Sequence, residues 1–157
     1  MPVEGPTLAY RRERFGTRLP LDRLYTRAHY WLRDMGGGVY EVGFTRFATR
    51  MLGDMVEYQF DVEPGAAIAL GSRLGWIEGF KAVSDLYAVG SGTFGGANAL
   101  LREDITLLES DPYGRGWLYR LEGQADGGGV DAKGYASILD ATIDKMLAGR
   151  HEGGSDE

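Results

Sequence analysis

Cysteine is absent from the 157 residues. Its absence excludes thiol nucleophiles, CxxC redox centres, iron–sulfur clusters and cysteine-ligated zinc. Histidine is nearly absent too, with only His29 and His151 present, and His151 lies in a polar tail. A Ser–His–Asp triad would have to use His29, and no G-x-S-x-G elbow accompanies it. No apolar run approaches the roughly 20 residues of a membrane helix, so no membrane association is expected. The first 20 residues hold Glu4, Glu13 and four arginines but no apolar stretch. That pattern argues against a secretory or mitochondrial targeting segment and makes the cytoplasm the expected compartment. Redox or group-transfer chemistry in such a chain would use reactive atoms carried on an attached group. No metal site is expected.

Glycine, in contrast, is abundant at 25 residues, about 16% against an average near 7%. The glycines punctuate short apolar runs along the whole chain, which calls for many tight turns and a mostly β domain. The length suits one domain, burying roughly 68–70% of its unfolded surface without disulfides.

Charge is uneven. Through Arg33 there are seven basic and three acidic residues, whereas the remainder holds ten basic against twenty acidic, for a net −6. Residues 1–20 read as an irregular arginine-rich leader with Pro2, Pro6 and Pro20. Nucleic-acid binding is not expected, because no interleaved aromatic stripe or binding fold accompanies the basic arm. Residues 148–157 are expected to be a disordered polar tail.

Val39–Phe44 and Val56–Phe60 alternate apolar and polar positions as half-buried strands do. Ala67–Leu70, Leu74–Phe80, Val83–Val89 and Trp117–Leu121 are further strand candidates. Thr45 can cap a short helix over 45–52 with Gly53 as its stop. Tyr135, Leu139, Ile143 and Met146–Leu147 form one apolar stripe of a C-terminal helix. The expected architecture is a small β-sandwich or barrel with two or three peripheral helices.

Several motifs have ordinary structural explanations. Gly90-Ser-Gly92-Thr-Phe-Gly95 matches G-x-G-x-x-G, but no βαβ pattern follows, so turn and strand glycines account for it. Gly36–Gly38 suits a hairpin turn. Glu103, Asp104, Glu109 and Asp111 lack calcium-loop spacing and read as a solvated face. His29 alone reads as a hydrogen-bonded structural histidine. Lys81, in Glu78-Gly-Phe-Lys81-Ala-Val-Ser-Asp85, is the only lysine between Met1 and Asp131, where the other 13 basic residues are arginine. Strand-like residues flank it, placing it at a hairpin tip. Its amine can be acylated, which a guanidinium does not permit, although a plain turn lysine would also account for the position.

The surrounding residues resemble the glycine cleavage system H protein family, whose modification site typically reads Glu-Ser-Val-Lys-Ala-x-Ser-Asp followed by Tyr-Ala-Pro-x-Ser-Gly. Here Glu78-Gly-Phe-Lys81-Ala-Val-Ser-Asp85 leads into Tyr87-Ala-Val-Gly-Ser-Gly92. Tyr25-Thr-x-x-His29-x-Trp31 resembles the family's opening strand, and Gly43-Phe-Thr45…Ala48…Leu52-Gly-Asp54-x-Val56 its next segment. Asn98-x-x-Leu101, Asp111-Pro-Tyr-Gly-Arg-Gly-Trp117-Leu118 and Asp131-Ala-Lys-Gly-Tyr135 complete a collinear match over about residues 25–147. That leaves residues 1–24 as a leader and 148–157 as the tail.

The resemblance implies a barrel-sandwich hybrid and a non-catalytic carrier. It implies lipoic acid in amide linkage to Lys81, with Glu78, Ala82, Ser84 and Asp85 surrounding the modification site. The arm would shuttle an aminomethyl group between glycine decarboxylase, aminomethyltransferase and dihydrolipoyl dehydrogenase, after attachment by a lipoate ligase or lipoyl-transfer enzyme. The carrier is expected to be a monomer. Glu78 and Asp85 are expected to flank the turn as an acidic landmark. His29 and Tyr30 fall where the family's His-Glu-Trp motif lines a cleft for the loaded arm. Tyr30 departs from that motif, since a phenol cannot supply the carboxylate's charge-assisted hydrogen bond. Gly79, Phe80 and Val89 depart from the usual Ser, small apolar residue and Pro. Tyr30 opens an alternative: an H-like lipoate-binding carrier serving sulfur oxidation through a heterodisulfide-reductase-like system, or lipoyl relay.

Overall fold

A computed structural model describes residues 5–155. Eleven strands and four helices follow one another as β1 (Thr7–Arg12), β2 (Phe15–Pro20), β3 (Leu24–Tyr25), β4 (Tyr30–Gly36), β5 (Val39–Phe44), α1 (Arg46–Leu52), β6 (Met55–Phe60), β7 (Ala67–Ile68), β8 (Arg73–Gly79), β9 (Val83–Tyr87), β10 (Gly90–Ala97), α2 (Leu100–Glu103), α3 (Leu107–Ser110), β11 (Tyr119–Ala125) and α4 (Ala132–Ser155). A six-stranded sheet has the order β3-β4-β5-β11-β10-β7, and a three-stranded sheet the order β6-β8-β9. This is the barrel-sandwich arrangement the sequence implied, mostly β with short helices and a long C-terminal one.

Alternation decides which side chains fill the space between the sheets. Leu32, Val42, Phe94 and Leu121 of the large sheet meet Leu74, Ile77 and Leu86 of the small one, all buried in one apolar cluster. Tyr119 ties the sheets by polar bonds: its hydroxyl donates to the Tyr87 carbonyl at 3.0 Å and accepts from the Val89 amide at 3.1 Å. Gly90–Gly95 lies within β10, paired with β11, so the G-x-G-x-x-G string is strand and not a nucleotide loop.

Both ends differ from expectation. The arginine-rich leader is not irregular, because β1 and β2 pair antiparallel from Thr7↔Pro20 to Arg12↔Phe15. Phe15 and Leu19 of this hairpin join Tyr25, Trp31, Phe47, Tyr135, Leu139 and Ile143 in a second apolar cluster beneath α4. The Tyr10 hydroxyl donates to Asp140 at 2.7 Å, and Arg12 pairs with Asp140 and Asp144. The basic arm therefore folds against its own acidic helix. At the other end α4 continues through Ser155, so residues 148–155 of the expected disordered tail are helical. Residues 1–4 of the leader and 156–157 of the tail lie outside the described residues.

Candidate functional site

The short helix α1 begins as its sequence requires. Thr45 is its N-cap, its side chain accepting from the Ala48 amide, and Gly53 ends it at φ 78° with its amide donating to Thr49. The peptide groups that follow receive the β8–β9 hairpin tip. The Lys81 amide donates to the Leu52 carbonyl at 2.8 Å, and the Phe80 amide to the Asp54 carbonyl at 2.7 Å. The Gly79 amide donates to the Ala82 carbonyl at 2.8 Å and closes the turn. Two glycines permit this approach. A Cβ on Gly79 would stand 2.1 Å from the Leu52 carbonyl oxygen, and one on Gly53 would stand 2.8 Å from Lys81 Cγ.

The result is a lysine whose backbone is pinned while its side chain stays exposed. Among the described residues Lys81 makes no ion pair. Phe80 beside it is 84% exposed and Val83 69%. Lys81 borders an open cleft of about 320 Å³ with Arg46, Thr49, Arg50, Asp54 and Glu109. Glu109 holds the cleft's far wall, its carboxylate accepting from the Met55 amide while its carbonyl accepts from the Arg46 guanidinium.

The expected neighbours of Lys81 fall around it with different parts to play. Glu78 pairs with Val83 across the hairpin, Ala82 supplies the turn carbonyl, and exposed Ser84 faces Ile77 in the register. Asp85 is not a free acidic landmark, because Arg73 Nε donates to it at 3.0 Å while Arg73 Nη1 reaches Asp61 at 2.8 Å. Of that pair only Glu78 lacks an ion-pair partner among the described residues. Of the expected solvated face, Glu103 and Asp104 are exposed, whereas Glu109 is half-buried and Asp111 buried. Asp111 is 7% exposed and accepts from the Arg115 amide at 2.8 Å, while Asp104 accepts from the Thr106 amide at 3.0 Å.

His29 and Tyr30 are not brought to the Lys81 cleft. His29 sits at φ 70° in the Thr26–Tyr30 turn, with Nδ1 2.7 Å from the Tyr135 hydroxyl. That hydroxyl also lies 2.8 Å from Thr45 Oγ1. Burial pulls the imidazole down to about 4, so it is a neutral structural histidine. Tyr30 is 2% exposed and stacks on Phe44, and its hydroxyl accepts from the Tyr87 amide at 3.1 Å. The expected cleft position is thus core, filled by a phenol that burial pushes up to about 12.

Sequence reasoning missed the seat of the hairpin. Gly53 was legible as a helix stop, but its second task, admitting Lys81, depends on a contact with a distant strand. Gly79 registered only as a departure from serine.

A lysine displayed on a backbone-pinned turn of a β-sheet scaffold has the geometry of a presenting module. Residues 23–135 match the model of the glycine cleavage H-protein family, and the chain belongs to that family of carrier subunits. It is 37% identical over 127 residues to the glycine cleavage system H protein of Pseudoalteromonas atlantica, covering 79% of this chain and 98% of that one. The Mycobacterium leprae protein of the same name is 42% identical over 123 residues, covering 78% and 91%. A crystal structure of a glycine cleavage system H protein from Mycobacterium marinum superposes with a TM-score of 0.70 at 36% identity, over 78% of this chain and 99% of that one. No helix among the described residues is long and apolar enough to cross a membrane.

Proposed function

We propose that this chain is a cytoplasmic, monomeric lipoyl carrier of glycine cleavage, with lipoic acid amide-linked to Lys81. It would shuttle an aminomethyl group between glycine decarboxylase, aminomethyltransferase and dihydrolipoyl dehydrogenase once a lipoate ligase or lipoyl-transfer enzyme has acted. The observation that carries this reading is the exposed, unpaired Lys81 on a backbone-pinned turn. A solvent-exposed amine fits acylation, since among the described residues no ion pair has to be broken to free it. When bound, the lipoyl group supplies the dithiol chemistry that the cysteine-free chain lacks.

The chain's own residues do the positioning. The bonds to Leu52 and Asp54 fix the root of the arm, and Gly79 and Gly53 allow that seat. Tethering keeps the arm at a high effective concentration near each docked partner, so transfer becomes nearly intramolecular. Glu78, Ala82 and Ser84 shape the turn that the modifying enzyme must read.

The test is glycine–bicarbonate exchange by glycine decarboxylase, with lipoylation confirmed by intact mass. Exchange is expected with the lipoylated chain and none with Lys81→Arg. That variant should keep the wild-type Tm within about 2 °C, as an exposed side chain without such contacts moves stability little. Tyr30 favours one second reading. Its buried neutral phenol cannot offer a carboxylate to an amine, which suits an H-like carrier in sulfur oxidation or lipoyl relay. Full lipoylation with no exchange, beside a working H protein, would select that reading.

A further inference from the structure

Beyond the Lys81 cleft, a second concavity of about 360 Å³ lies where three elements meet: the β1–β2 hairpin, α1 and the last turns of α4. Phe15, Phe47 and Ile143 are buried in its floor, and Met51, Met146 and Leu147 stand 36–40% exposed along its lips. Among the described residues four arginines rim it, Arg12, Arg14, Arg50 and Arg150, against one lining carboxylate, Glu13. Arg12 is engaged by Asp140 and Asp144, and Arg50 lies over the Phe15 ring at 6.0 Å. Arg14 and Arg150 have no ion pair among the described residues. On a chain of net charge −6, this is a cationic rim around apolar ground.

We propose that this groove docks an acidic amphipathic helix of an enzyme that acts on the Lys81 arm, a proposal that rests on the carrier reading above. Two observations choose that occupant. The first is complementarity: Phe47 and Met51 on α1, and Ile143 and Leu147 on α4, are each four residues apart. Two helix faces thus offer ridges to a third, and the arginines match carboxylates flanking its apolar stripe. The second is position. Arg50 lines both this groove and the Lys81 cleft, so a helix seated here places the rest of its protein beside the lysine. The hairpin residues of the groove precede the family-matched span of 23–135, whereas Phe47, Arg50 and Met51 lie within it.

The full-length chain tests this with two enzymes, glycine decarboxylase and lipoate ligase. The variants are the rim reversal Arg14→Glu/Arg150→Glu and, separately, Leu147→Asp. With at least one enzyme, the rim reversal is expected to raise the carrier's KM about tenfold or more at low salt, since rim charges govern encounter. Its kcat and Tm should stay as they were. Rising ionic strength should raise the wild-type KM and leave that of the reversed rim nearly flat. Leu147→Asp should raise KM at any salt. An unmoved KM with both enzymes overturns the proposal. If glycine decarboxylase does not turn over the lipoylated wild type beside a working H protein, the glycine-cleavage reading has failed, and the ligase, followed by intact mass, still decides the groove. Co-sedimentation with phosphatidylglycerol vesicles, abolished by the rim reversal while KM stays put, would make the groove a membrane contact and overturn the proposal as well.

Discussion

Tyr30 and His29 are neighbours in sequence that pack against different apolar clusters, and their chemistry follows. Tyr30 is held by Phe44 on one side and by the Tyr87 amide at its hydroxyl. Tyr30→Phe leaves that amide short of an acceptor and should cost about 1–2 kcal/mol. Tyr30→Glu, which writes in the family's usual residue, is expected to cost at least about 3 kcal/mol, because the carboxylate would be buried without a charged partner. Urea denaturation of both variants measures the difference, and an unchanged midpoint for the glutamate variant would mean that position 30 opens onto solvent. His29 gives a pH dependence. Its folded value of about 4 lies below the ordinary 6.5, so the unfolded chain binds its proton first. The contribution is complete above pH 6.5 and is lost as pH falls toward 4, a change on the order of 2–3 kcal/mol. His29→Asn, which tolerates the left-handed backbone, should flatten that part of the stability–pH curve measured by urea titration.

At the level of elements, the site is a docking of one hairpin onto the end of one helix. Both were legible: the Thr45 cap and Gly53 stop bounded α1, and short apolar runs punctuated by glycines gave the strands that became β8 and β9. Their contact was not, since a Leu52 carbonyl receiving the Lys81 amide is a long-range event with no local pattern. The glycine at 79 shows the difference physically. Its backbone is ordinary strand, yet only a missing Cβ lets the Leu52 carbonyl approach. Gly79→Ala should therefore push the hairpin tip off α1 and lower the rate of Lys81 lipoylation by up to about a hundredfold, the penalty for misplacing a reacting group by an ångström. Timed intact-mass spectra with a lipoate ligase check this. Lipoylation at the wild-type rate would show that the enzyme reads a mobile tip.

On the scale of the whole molecule there are two apolar centres with separate duties. One lies between the sheets and supports the hairpin of Lys81, with Leu52, Ile77 and Leu86 among its members. The other lies under α4 and depends on the N-terminal hairpin for Phe15 and Leu19. That hairpin escaped sequence reading because its inward-facing positions are Leu8, Tyr10 and Arg12. An arginine in such a row looks like solvent-facing chain until Asp140 and Asp144 are found opposite it, more than 120 residues away. Because the hairpin serves only the second centre, its loss should be separable from the presenting function. A chain lacking residues 1–21 exposes what Phe15 and Leu19 cover and should lose on the order of 3–6 kcal/mol, or about 10–20 °C in Tm at this size. With ligase in excess it should still be lipoylated at Lys81 at 25 °C, while hydrogen exchange speeds up in α4 and β3 and stays slow in β8. Equal loss of protection in β8 would show that the two centres fold as one, and that the N-terminal hairpin holds the lysine in place from across the molecule.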